Sequence, residues 1–68
     1  MFISFSDKES SYIYKANNIA SVQHINGENF FVIQFDSGMV QEYLYDRMEE
    51  CLETFLHIRE QLGAYYER

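Results

Sequence analysis

A chain of 68 residues with a net charge of −6 and a single cysteine has room for one domain and excludes an internal disulfide. Its five basic residues (Lys8, Lys15, Arg47, Arg59 and Arg68) stand against eleven acidic ones, too few and too scattered for a surface that tracks phosphates. One cysteine with His24 and His57, far apart in the chain, does not make the ligand spacing of a structural zinc site, and no cofactor-binding motif is present.

Composition also sets an expectation about association. Six Phe and six Tyr make the chain 18% aromatic. A domain of this size buries only about 60% of the surface that its unfolded chain exposes. With no disulfide or metal to compensate, contact with another chain is the expected source of extra stability. The absence of Pro and the low Gly count argue against disorder. The opening segment Met1–Phe5 lacks the basic region and long apolar run of a signal peptide, and no stretch approaches the roughly 18 apolar residues of a membrane span. A lone cysteine then suggests a reducing, cytoplasmic setting.

Residues 2–6 alternate and read as a strand. A polar turn follows at Asp7–Ser10, and Tyr12–Lys15 is a second strand rich in β-formers. Asn17-Asn18 marks a break, and Ile19–Ile25 forms a third strand. Asn26-Gly27 predicts a type I′ hairpin turn into a fourth strand, Asn29–Phe35. Asp36-Ser37-Gly38 predicts a second hairpin turn, with Gly38 left-handed, into a fifth strand, Met39–Tyr45.

Asp46-Arg47-Met48-Glu49 fits the spacing of a capping box, with negative charge at the positive end of the helix dipole. Apolar residues at Met48, Cys51, Leu52, Phe55, Ile58 and Leu62 then recur on one helical face, which Leu56 widens. Gly63 is the expected stop, and Ala64–Arg68 the expected tail. The whole of 1–68 therefore reads as one α+β domain. It is a small antiparallel β-meander of four to five strands, over about residues 2–45, followed by one C-terminal amphipathic α-helix, over about residues 46–63, packed on one sheet face.

Alternation sorts the strand residues into two sets. Ile13, Phe31, Ile33, Phe35, Val40 and Leu44 are the more aliphatic set and are expected beneath the helix. The other set contains Tyr12, Tyr14, Phe30, Val32, Met39, Tyr43 and Tyr45, and carries few charges. Tyrosine is enriched at interfaces, so this second face is the expected contact surface of a homodimer or other protein partner.

A second expected surface is acidic. Asp46, Glu49, Glu50, Glu53 and Glu60 form a ribbon along the helix, and the like charges at 49 and 53 do not favour helix formation. Cys51 lies among apolar helix residues and acidic neighbours, a setting for a buried hydrophobe rather than a thiolate nucleophile. His57 is placed to pair with Glu53. Neither histidine has a Ser or Cys beside it to complete a nucleophilic triad.

The sequence therefore points to a non-enzymatic protein–protein interaction domain that self-associates through its Tyr/Phe-rich face. One alternative is a small acidic inhibitor, of phage or mobile-element type, that imitates nucleic acid and occupies a basic nucleic-acid-handling protein. Another is a module that stacks single-stranded nucleic acid on the aromatic face, which the charge disfavours.

Overall fold

The computed structural model describes residues 1–66, with the side chains described through Tyr65. Five strands and one helix follow in order: β1 (Phe2–Ser6), β2 (Ser11–Lys15), β3 (Ile19–His24), β4 (Phe30–Phe35), β5 (Val40–Leu44) and α1 (Met48–Tyr66). The strands make two antiparallel sheets, a β1–β2 hairpin and a β3–β4–β5 meander.

The expected meander therefore holds for the last three strands, while the first two form a sheet of their own. A 3-10 turn at Ala16–Asn18 with a buried Ala16 redirects the chain between the two sheets. The hairpin is closed at its open end by Ala16 N–H donating to the Met1 carbonyl (3.0 Å).

Ring contacts show how the layers stack. Tyr12 and Tyr14 of the hairpin meet Tyr43 of β5, Tyr14 meets Phe35, and Phe5 meets Phe31 of β4. The hairpin thus lies over β4 and β5. The helix packs against β1, β3 and β4, with Phe55 on His24 and Phe31. Its core-facing stripe is narrower than expected, because Cys51 and Ile58 are buried while Met48, Leu52 and Leu56 are exposed. One inner face of the meander is therefore shared between a hairpin and a helix lying side by side.

The seam between hairpin and helix is bonded. Gln61 accepts the Ser4 N–H (3.0 Å) and donates to the Ser4 carbonyl (3.1 Å). One amide side chain thereby does the work of a neighbouring strand for the centre of β1.

The core is aromatic. Ile3, Phe5, Ala16, Ile19, Phe31, Ile33, Tyr43, Tyr45, Cys51 and Ile58 are buried, with Tyr12, Tyr14, Val22, Phe35, Phe55, Leu62 and Tyr65 packed around them. This corrects the expected sorting of faces. Phe31, Ile33 and Phe35 are indeed on the inner side, but Ile13 (71% exposed), Val40 (55%) and Leu44 (51%) are outside and the four tyrosines take their place.

The cause is register. Phe31 pairs with Tyr43 across the β4–β5 ladder, while Ile3 pairs with Tyr14 and Phe5 with Tyr12 across β1–β2. Directly paired residues share a face, so Tyr12, Tyr14 and Tyr43 follow the buried residues opposite them, and Tyr45, two residues beyond Tyr43, takes the same side.

Three local expectations also change. Gly27 has φ +89° but Asn26 does not have positive φ. With Glu28 N–H donating to the Ile25 carbonyl (3.1 Å), the turn has the type II pattern rather than type I′. The helix begins at Met48, with the Arg47 carbonyl accepting the Cys51 N–H. Asp46 is engaged by Lys8 (2.8 Å) and Glu49 by Arg47 (3.5 Å), instead of forming a capping box. Gly63 lies inside the helix, because Leu62 and Tyr65 continue the spacing of Ile58 and still pack on the core. The expected tail at Glu67 and Arg68 lies outside the described residues.

Candidate functional site

Among the described residues, none is laid over the outer face of the meander. Inward placement of Phe31, Ile33 and Tyr43 turns the residues between them outward. Phe30 faces Leu44, Val32 faces Glu42 on one side and Gln23 on the other, and Gln34 faces Val40 and Ser21. Val40 and Leu44 are more than half exposed, and Phe30 and Val32 are half-buried by neighbours in the same sheet. Ile25 and Met39, at the two hairpin turns, are also exposed. Glu42 is the one charged residue among the outward positions of the three strands.

Of the seven residues expected at an interface, Phe30, Val32 and Met39 thus stay at the surface. Tyr43 and Tyr45 are buried, and Tyr12 and Tyr14 are partly buried against the core. Each hydroxyl has a partner. Tyr14 and Tyr43 bond to each other (2.7 Å), Tyr12 donates to Asp7 Oδ2 (3.0 Å), and Tyr45 donates to the Ser6 carbonyl (2.6 Å). Burial pushes the Tyr45 hydroxyl up to about 12. Burial, then the bond from Tyr14, pushes Tyr43 up further. Rings held in this way do not form an exposed platform for stacking bases.

The acidic ribbon divides into parts. Asp46, Glu50 and Glu53 line one groove of about 460 Å3 between the helix start and the first hairpin, together with Asp7, Lys8, Thr54 and His57. Lys8 spans it to bond Asp46, which holds the lysine above its ordinary pKa. Glu49 turns to Arg47, and Glu60 lies apart, beside Arg59, Gly63 and Ala64. Glu50 and Glu53 take part in no ion pair among the described residues, and the expected Glu53–His57 pair is not formed there.

Cys51 is fully buried and desolvation raises its pKa, the opposite of what a thiolate nucleophile needs. The His24 Nε2 lies 2.9 Å from the Glu28 carbonyl, which ties the β3–β4 loop back onto the strand, and its ring lies on Phe55. Among the described residues no three His, Cys, Asp or Glu side chains are grouped as metal ligands, and no helix is long and apolar enough to cross a membrane.

No protein-family model matches the chain, and neither curated proteins nor solved structures offer a significant match.

Proposed function

We propose that this protein is a non-enzymatic protein–protein interaction module that self-associates through the outer face of the β3–β4–β5 meander. The observation that supports this is an open sheet face bearing Phe30, Val32, Val40 and Leu44 with Glu42 as its one charge, on a chain whose net charge is −6. Copies of such a chain repel one another over most of their surface, and this face combines exposed apolar side chains with little charge. The molecule measures 32 × 23 × 22 Å, so one broad face is of the order of the ~800 Å2 per partner that stable interfaces bury. A reducing cytoplasm suits its unpaired thiol.

Sedimentation velocity over a range of concentrations tests the reading, using Val40→Lys/Leu44→Lys beside the parent protein. A concentration-dependent dimer that the double variant loses while keeping its circular dichroism is expected. A parent that remains monomeric at about 1 mM, far above the Kd of a functional dimer, or an oligomer indifferent to the two lysines, would overturn it.

A second reading draws on the groove where Glu50 and Glu53 stand without ion pairs among the described residues. Such a groove suits a basic protein partner, as a small acidic inhibitor of a nucleic-acid-handling protein would need. Binding to a lysine-rich peptide, lost on Glu50→Lys/Glu53→Lys with folding intact, is the expected result. Binding that survives the double reversal would reject it.

A further inference from the structure

Two sheets present four edge strands, and three of them are guarded. The centre of β1 is occupied by the Gln61 amide. β3 carries a register irregularity between Ile19 and Ser21 and lies beside the helix. β2 ends on Lys15 in a two-stranded ribbon, and a lysine on an edge discourages pairing. β5 has no proline, no lysine and an unbroken register of five pairs with β4.

Its free hydrogen-bonding groups follow from the ladder. Phe35 N–H donates to the Met39 carbonyl (2.8 Å) and, at the far end, Tyr45 N–H donates to the Asn29 carbonyl (2.9 Å). In an antiparallel pair the bonded positions alternate, so Gln41 and Tyr43 bond to β4 while Val40, Glu42 and Leu44 direct their N–H and C=O groups away from it. Among the described residues one of these groups is used, the Leu44 carbonyl accepting the Lys8 N–H (3.3 Å).

We infer that the β5 edge receives an extended segment of another protein as a fourth strand of the meander, with the pattern apolar–x–Lys/Arg–x–apolar. The alternation follows from the strand. The residue opposite Glu42 shares its face and would carry the complementary charge, and those two positions away would cover Val40 and Leu44. A second copy of this chain fits the edge poorly. Outward-directed positions pair with outward-directed positions, so two antiparallel β5 strands place their Glu42 side chains opposite or diagonal to each other on one face, an unfavourable pairing of like charges. This occupant uses the edge rather than the face, and does not depend on self-association.

The test uses the full chain and two synthetic blocked peptides of alternating valine and threonine, one with a central lysine and one with a central glutamate. Amide hydrogen exchange and chemical shifts are followed residue by residue in each titration. The lysine peptide at about 1 mM is expected to slow exchange at Val40, Glu42 and Leu44 and to bind about three- to tenfold more tightly than the glutamate peptide. Glu42→Lys should invert that preference, and Glu42→Gln, the milder change, should erase it.

Failure of these three amides to gain protection overturns the inference, as does protection centred on another element or a preference that persists in both variants. Protection that grows with protein concentration in the absence of peptide would assign the edge to a second copy and also overturn it. The residue-specific readout keeps this result separate from the presence or absence of a dimer through the sheet face.

Discussion

Changing Tyr43 to serine and, in a separate variant, its neighbour Leu44 to serine tests the phase of β5 with two residues adjacent in sequence. Tyr43 is 1% exposed and its ring lies 5.0 Å from Phe5, 5.0 Å from Tyr12 and 5.2 Å from Phe31, measured between centroids. Removing a buried aromatic ring costs about 3–5 kcal/mol, and leaving the Tyr14 hydroxyl without its 2.7 Å partner adds about 1 kcal/mol. A domain of this length has roughly 3–10 kcal/mol of total stability, so Tyr43→Ser should lose about half of it or more. Leu44 is half exposed on the other face, and its truncation should cost about 1 kcal/mol or less. Urea unfolding followed by far-ultraviolet circular dichroism reads the difference. With a slope of about 1 kcal/mol per molar for a chain this small, Leu44→Ser should move the midpoint by about 1 M or less. Equal losses, or a larger loss for Leu44→Ser, would place the tyrosine outside and the leucine in the core.

Three further outcomes follow from the same contacts. Tyr45, pushed from 10.0 to about 12, and Tyr43, displaced further in the same direction, are kept neutral by the fold. Their contribution is full below pH 10 and drains away as pH rises through 12. Ionisation of Tyr43 and Tyr45 should therefore coincide with loss of circular dichroism at alkaline pH, and their ionisation near pH 10.0 with circular dichroism intact would contradict it. Gln61→Ala removes both bonds to Ser4 and should cost about 1 kcal/mol, seen as a lower melting temperature and faster exchange of the Ser4 amide; unchanged exchange would count against the seam. Lys8→Ala breaks a solvent-exposed ion pair with Asp46 and should leave the urea midpoint nearly unchanged, so a clear drop in the midpoint would show the pair to be structural.

Element order was readable because each strand carries β-forming residues between polar turns, and the helix carries its apolar stripe from Cys51 to Leu62. Facing was not, because β2 and β5 are apolar in both phases. In and just after β5, Val40 and Leu44 compete with Tyr43 and Tyr45, and simple hydrophobicity favours the aliphatic pair. The deciding signal lay in loop length. A three-residue turn at Asp36-Ser37-Gly38 pairs Phe35 with Met39 and hence Phe31 with Tyr43, so a buried Phe31 requires a buried Tyr43. The same arithmetic across Asp7–Ser10 sets Phe5 against Tyr12. The candidate surface moved with the phase: Phe30, Val32 and Met39 remain in view, while Val40 and Leu44 replace the tyrosines. The acidic ribbon was legible as charge, but its division was not. Which carboxylate meets Lys8 depends on a contact spanning 38 residues.

The bond between Gln61 and Ser4 joins positions 57 residues apart, with a consequence for the order in which the molecule assembles. A ribosome releases β1 long before residue 61 has been added. The turns and ladders of the meander are local and can close early, whereas the centre of β1 waits with unsatisfied backbone groups until the last turns of the helix arrive. During that interval the strand is a free template for any other extended chain. The late-arriving glutamine therefore acts as a latch in time as well as in space. A nascent chain stalled before residue 61 should be the form of this protein most prone to misassembly.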